Sequence, residues 1–329
     1  MAKHEFAMLC HHVTKQNNLS GWYASRKLDG WGFVWDGGLT RGLTGVRVPW
    51  NKQGGDSVWR ESTGLWTIGR SDTDGIKPKI ISAPDWFLDL LPDEVPVQGE
   101  LWLPEDSSSA VQEIVSKKVP VDSEWKRVHA VIYNVKPYEC WIEDGLLPEW
   151  REELELLPTW KNRSWTKRMN LIPELPEGGQ VYLHKQHLCR VEEDYVDMWA
   201  EAKAKQWEGL VFVNPEAEYQ SCRSYDLLKE KTAYDGEVEI LGWEKGTTGK
   251  RLEEMAGAVI CRVRWDEKVL TIKGGKDWMV GKEIVFKIAG GLSDSLRNPK
   301  EIEKLVGKRV RIEFSHVTIG GCPASGRLI

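Results

Sequence analysis

A lysine amine attacks phosphorus only when neutral, so a chain that uses one must lower its pKa well below the usual value of about 10.4. Cationic neighbours, desolvation or a nearby metal can do this. Lys27, in Ser25-Arg26-Lys27-Leu28-Asp29-Gly30, is a candidate. Alone, a Lys-x-Asp-Gly tetrapeptide proves little. Roughly one chain in ten of this length carries it by chance, and a surface lysine beside an Asp-Gly turn reads the same. Its weight comes from an ordered series of residues downstream. Strand alternation predicts Lys27 and Asp29 on one face, with Gly30 leaving room for a close ligand. Arg41 comes next, in Thr40-Arg41-Gly42-Leu43-Thr44-Gly45, and then Gln98 and Glu100 on one face of VPVQGELWL (Val95–Leu103). Tyr133 sits in the apolar run VHAVIYNV (Val128–Val135), placed to stack on a base. Glu208 stands at a helix-to-strand junction, and Lys229 and Lys231 share a strand face in SYDLLKEK (Ser224–Lys231). Like charges that close are mutually unfavourable unless an anion lies between them, and a triphosphate would supply it.

The elements that must position these residues are legible in outline. WGFVWD (Trp31–Asp36), Asp36-Gly37-Gly38 and an extended run Leu39–Thr44 predict a hairpin. Further strands are expected at Val95–Leu103, Val128–Val135 and Gly209–Val213, and helical spacing predicts a helix over 192–206. The Glu152–Leu157 run reads as a solvated amphipathic helix. Asn51–Asp56 and Asp106–Ser109 read as loops. After Lys231 the texture changes to short strands with Gly turns, at Glu237–Trp243, Ala256–Trp265, Val269–Lys273, Glu283–Ile288 and Arg309–Phe314. About five strands in under 100 residues fit a small closed barrel of the oligonucleotide-binding kind. The boundary is expected near residue 232, with Thr232-Ala233-Tyr234-Asp235-Gly236 as a hinge.

Composition bounds the rest. At 329 residues the chain can form two domains, and 41% apolar with 29% charged residues is ordinary for a soluble globular protein. No stretch approaches the roughly 18 consecutive apolar residues of a membrane span, and the polar opening MAKHEFAMLCHHVTKQNN does not read as a signal peptide. A cytoplasmic protein, in the host cytoplasm if viral, is expected. The six cysteines lie far apart without a CxxC pair, so neither a zinc site nor a disulfide framework is indicated. The 18 tryptophans are read mostly as packing residues. His184 and His187, three apart, lack the further ligands of a metal site. The net charge of −5 argues against a protein that coats nucleic acid. Its distribution is uneven, with 17 Lys and Arg against 14 Asp and Glu in residues 233–329 and 28 against 36 before them.

The ordered set KLDG, QGELW, EGLVF and LLKEK resembles the covalent nucleotidyltransferase superfamily, specifically small ATP-dependent DNA ligases of the bacteriophage and bacterial type. The resemblance runs from about residue 20 to the C-terminus and includes Ala83-Pro84-Asp85-Trp86-Phe87 and FKIAGGLSD (Phe286–Asp294). It implies an α+β chain with a nucleotidyltransferase (adenylation) domain, residues 1–232, of antiparallel sheets with flanking helices, and a C-terminal OB-fold barrel, residues 233–329. It implies ATP and Mg2+ as cofactors, nicked double-stranded DNA as partner, and a monomer. Lys27 would be the adenylated nucleophile, with Arg26 and Gly30 beside it in the nucleotide site. Asp29 would contact the ribose or metal, and Arg41 phosphate or the nick. Glu100 would act at the ribose or a metal-bound water, Tyr133 would stack on adenine, and Glu208 would bind a divalent metal. Lys229 and Lys231 would hold the α-phosphate, and Asp235 would fall at the swivel. Lys245, Lys250, Arg251 and Arg297 are candidate DNA contacts.

The chain departs from the family in places. Gly32 stands where an arginine is usual, and Arg70 is the candidate substitute. Asn134 and Gln98 replace common acidic residues, and Arg327 is the one candidate for the C-terminal basic motif. An RNA ligase or guanylyl-transferring capping enzyme would use the same lysine chemistry, and a catalytically silent nucleic-acid-binding protein would keep the architecture without it.

Overall fold

Short apolar runs broken by Gly, Pro and Asx turns suit strands rather than long helices, and strands dominate the computed structural model of this chain. It describes residues 4–14, 17–43, 61–68, 71–72, 75–76, 78–104, 108–143 and 159–329. Arg70 and the Glu152–Leu157 run lie outside the described residues. The chain divides into two compact units, Met1–Ala200 with Gly209–Glu230, and Glu201–Glu208 with Lys231–Ile329.

In the first unit the strands are β1 (Leu9–His12), β2 (Trp22–Arg26), β3 (Trp31–Trp35), β4 (Leu65–Thr67), β5 (Ser71–Asp72), β6 (Gly75–Ile76), β7 (Val97–Trp102), β8 (His129–Val135), β9 (Val181–Leu183), β10 (His187–Cys189), β11 (Gly209–Val213) and β12 (Arg223–Lys231). One five-stranded sheet has the order β1-β12-β11-β2-β10 and a second the order β4-β3-β7-β8-β9. β2 pairs antiparallel with β10 and β11, β3 with β4 and β7, and β7 with β8, while β1 with β12 and β8 with β9 are parallel. Phe33, Val97, Leu101, Ala130 and Ile132 of the second sheet pack on Phe87, Val111, Ile114 and Trp125 from flanking helices. Val111, Ile114 and Val115 share one face of the helix Ser108–Val115 because they recur at helical spacing. Burial of each such large side chain contributes about 1.5–3 kcal/mol.

The hairpin expected after β3 does not form. Gly37, Gly38 and Gly42 adopt left-handed φ of 77°, 83° and 76°, so the chain coils through turns, and β3 takes β4 as its partner instead. Arg41 therefore lies in a turn, where its amide donates to the Gly38 carbonyl at 3.1 Å.

In the second unit β13 (Tyr234–Lys245), β14 (Ala256–Arg264), β15 (Glu283–Ile288), β16 (Arg309–Phe314), β17 (His316–Val317), β18 (Pro323–Ala324) and β19 (Arg327–Leu328) complete the strands. Five of them form a sheet of order β15-β14-β13-β16-β19 over a core that includes Val238, Ile240, Val259, Phe286, Ile312 and Phe314. The sheet is not closed by a ladder. A parallel bridge of Gly290 with Arg327 links its two ends, with the Leu328 amide 3.2 Å from the Gly290 carbonyl. The expected strand Val269–Lys273 is instead a 3-10 helix, Glu267–Thr271, because Asp266 caps it by accepting from the Lys268 amide at 3.0 Å. Asp235 is not in a loose link. It is paired opposite Glu313 in the β13–β16 ladder and bonded to Arg311 at 2.9 Å, so the residues between β12 and β13 are Thr232 and Ala233.

Candidate active site

Lys27-Leu28-Asp29-Gly30 is the passage from β2, in the first sheet, to β3, in the second. The strand ends at Arg26, so Lys27 and Asp29 are not alternating strand residues as the sequence predicts. The Lys27 amide still extends the ladder by donating to the Gly209 carbonyl at 2.8 Å, and its Nζ donates to the Leu28 carbonyl at 3.3 Å. Gly30 is required by the close approach of β7. A Cβ there would stand 2.3 Å from the Leu101 carbonyl oxygen, and its amide donates to Glu100 Oε1 at 2.8 Å. Main-chain geometry thus ties the motif to the carboxylate that the sequence pairs with it.

A cavity of about 220 Å³ opens between the two sheets of the first unit. It gathers Arg26, Lys27, Glu100, Tyr133 and Lys229 from the expected set, with Gln98 beside them. Met8, Leu9, Val211, Val213 and Leu227 give it apolar walls, and Arg223 adds a further cation. The Cys10 thiol reports the local field. Burial pushes its pKa up to about 11, against the opposing pull of the Lys229 and Lys27 charges. Burial, with the Glu100 carboxylate adding to it, also pushes the Tyr133 phenol above its usual range, keeping it neutral. Gln98 braces the two sheets rather than serving chemistry: its Nε2 donates to the Met8 carbonyl at 2.9 Å and its Oε1 accepts from the Tyr219 hydroxyl at 2.9 Å. Asn134 is buried and accepts from Arg168 at 3.2 Å. At the β10 side His184 Nε2 meets the Arg26 carbonyl at 2.6 Å, and burial lowers its pKa. Arg26 lies over the Trp102 ring, 4.9 Å from its centroid.

Several expected residues lie elsewhere. Arg41 does not line the cavity. Its guanidinium is bonded to Asp89 at 2.6 Å and Asp85 at 3.2 Å. Asp29 is half-buried and is also outside the lining. Glu208 and Lys231, in the second unit, pair with each other at 2.8 Å. Arg297 is corrected from a DNA contact to a structural residue. It is buried and donates to the carbonyls of Leu292, Ala256, Gly257 and Ala289. Lys245 is paired with Glu254 and Arg251 with Asp294, while Lys250 is exposed. Arg327 pairs with Glu313 at 2.6 Å. At Gly32 a Cβ would meet Ile68 Cδ1 at 2.5 Å, so an apolar side chain already fills the space the family's arginine would enter.

Residues that sequence reasoning missed are Cys10, His184, Gln186 and Arg223, all in the cavity wall. LCHH (Leu9–His12) has no alternation, and its parallel partner β12 lies more than 200 positions away, so no local signal announces it. Another cavity, of about 610 Å³, lies beside Asn17, Ser20 and Tyr195. Its described lining carries the carboxylates of Glu192 and Glu230 and no cation, which suits phosphate poorly.

The first cavity combines an apolar slot, a neutral phenol at one wall, and cations beside a candidate nucleophile. Among the described residues no group of three or more His, Cys, Asp or Glu is arranged to hold a metal. Magnesium commonly takes one or two carboxylates and completes its shell with substrate phosphates and water, and Glu100 offers one such carboxylate in the wall.

No protein-family profile matches this chain. Among curated proteins it is similar to a DNA ligase of Haemophilus influenzae, 23% identical over 252 residues, which cover 69% of this chain and 85% of that protein. Among solved structures it is similar to a chain from work on Lig E DNA ligases and DNA binding with a minimal scaffold. There the TM-score is 0.66 at 20% identity, covering 98% of this chain and 97% of the other. It is also similar to Pmar-Lig_PreS3, with a TM-score of 0.64 at 15% identity, covering 99% and 67%. The chain is thus similar in sequence to a curated DNA ligase and in fold to a Lig E ligase chain, in agreement with the order of its motifs.

Proposed function

We propose that this chain seals nicks in duplex DNA, with ATP as the source of an adenylyl group carried on Lys27. The observation that carries the reading is the convergence of Lys27, Lys229, Glu100 and Tyr133 on one cavity from four separate strands or strand ends. Residues 1–232 are assigned as the adenylation domain and 233–329 as the OB-fold domain. Neutral Lys27 Nζ bonds to the α-phosphorus as pyrophosphate leaves. An oxygen of the nick's 5′-phosphate then bonds to the adenylyl phosphorus, releasing the lysine amine, and the adjacent 3′-hydroxyl loses its proton and bonds to the phosphorus of that 5′-phosphate as AMP leaves. These are in-line transfers in which positioning and charge neutralisation supply most of the rate.

Lys229 and Arg223 bring positive charge to the cavity wall, which favours the neutral form of the nearby amine and stabilises negative charge on the transferring phosphate. Tyr133 offers a neutral ring for adenine. Glu208 and Lys231 are assigned to metal and phosphate on the strength of the resemblance. A bound divalent ion would supply charge neutralisation at the phosphates, with Glu100 as a further carboxylate for it in addition to Glu208.

Intact-mass spectrometry after incubation with ATP and magnesium tests the reading. The expected result is a mass increase of one adenylyl group, absent in Lys27→Ala, together with sealing of a nicked duplex. An unmodified protein that seals no nick would overturn it.

A further inference from the structure

The cavity has two chemically different sides. The sheet order places β12, with Lys229 and Arg223, on one side of β11 and β2, and β10 on the other. Three interstrand steps, about 14 Å, separate β12 from β10. That distance suits a nucleotide lying across the sheet, with phosphates toward β12 and base toward β10. On the base side Gln186 lines the cavity just before β10, where His187 is in register with Ala24. The Gln186 Oε1 atom is shielded from solvent and meets no hydrogen-bond donor. A buried carbonyl left this way is unfavourable, so its place in a cavity wall calls for an incoming donor. The neighbouring main-chain acceptor on that side, the Arg26 carbonyl, is already engaged by His184 Nε2.

We propose that Gln186 selects the nucleobase by accepting a hydrogen bond from the exocyclic amine of adenine. A carboxamide is complementary to adenine edge-on, since its oxygen accepts from N6 while its NH2 donates to a ring nitrogen. Guanine presents a carbonyl oxygen where adenine presents the amine, which would set two acceptors against each other. The inference rests on the ligase reading and adds to it the residue that sets nucleotide preference. An analogue that lacks the amine leaves the buried acceptor unpaired and is disfavoured for that reason.

The test compares self-nucleotidylation of the wild type, Gln186→Leu and Gln186→Glu with ATP, GTP and purine riboside triphosphate, which lacks the 6-amino group. The wild type is expected to favour ATP over the purine analogue by roughly 10- to 100-fold in kcat/KM. Gln186→Leu should bring that ratio to within about threefold while still reacting with the analogue, which shows that the variant is folded and its lysine competent. Gln186→Glu keeps the acceptor and should retain preference for ATP over GTP. If Gln186→Leu discriminates as the wild type does, the inference is overturned and the ligase reading stands. If the wild type takes no nucleotide at all, both fall.

Discussion

Gly30 and Glu208 show how single residues in this chain carry unlike burdens. At Gly30 the added methyl of alanine would be driven against the Leu101 carbonyl and Glu100 Cγ. Gly30→Ala is therefore expected to cost about 1–3 kcal/mol and to lower the melting temperature by several degrees. It should also displace the Lys27 segment, so that adduct formation falls more steeply than the loss of folded protein explains. Calorimetry with intact-mass kinetics on the same sample checks this. Glu208, by contrast, holds the half-exposed Lys231, and ion pairs of that exposure are worth about 1 kcal/mol or less. Glu208→Gln should leave the melting temperature within about 3 °C and reduce nick sealing by about 100-fold or more. A proportionate loss of both would mark Glu208 as structural. Lys27, Glu100 and Lys229 were legible because their neighbours in KLDG, QGELW and LLKEK repeat a pattern set by main-chain needs. Arg297 was misread because charged residues are mostly exposed, and nothing in GLSDSLRN announces a guanidinium enclosed by four backbone carbonyls.

At the level of elements, the turn after β3 is organised by a buried carboxylate. Asp36 is enclosed, accepts from Thr40 at 2.5 Å and Trp66 at 3.1 Å, and keeps an oxygen without a partner. Thr40 also meets Ser62, and the Tyr138 hydroxyl bonds the Asp36 carbonyl, so no cation faces the carboxylate among these partners. Burial raises its pKa to about 6, with the Thr40 and Trp66 bonds opposing. Because the folded value lies above the ordinary 3.8, folding takes up a proton in between. The contribution is most favourable below about pH 4 and is lost as pH rises through about 6. Relative to Asp36→Asn, the wild type should gain melting temperature on acidification from pH 7 to pH 5. Parallel curves for the two proteins would refute this. Sequence could not reveal it, since Asp-Gly-Gly reads as an exposed hairpin turn and Trp66 joins Asp36 only through the β3–β4 pairing. Strands β8 and β11 were readable because each is a largely apolar run of ordinary length, and β7 because Gln98 and Glu100 alternate with its apolar residues. β1 was not, because it holds its place through a distant parallel partner.

For the whole molecule, the acidic balance sits poorly with strong non-specific binding, and the sheet of the second unit presents its cations largely in pairs with carboxylates. Affinity for nicked duplex should therefore depend only moderately on salt. Replacing Lys245, Lys250 and Arg251 together by alanine is expected to reduce the slope of log K against log salt by about 1 to 2 rather than 3, because Arg251 is bound bidentately to Asp294. Arg297→Lys should leave that slope unchanged and instead lower the melting temperature of the second unit, as three of the backbone bonds lose their planar donor. Titration at several ionic strengths, with thermal melts of the same variants, separates the two roles.

Lys27, the proposed nucleophile, rides on a strap whose two ends are anchored in different layers, and a glutamine–tyrosine brace keeps those layers in step. Loosening the brace should thus change the aim of the amine before it changes the survival of the fold. Gln98→Leu, or Tyr219→Phe in a gentler form, should slow the first chemical step at temperatures where circular dichroism still reports an intact protein.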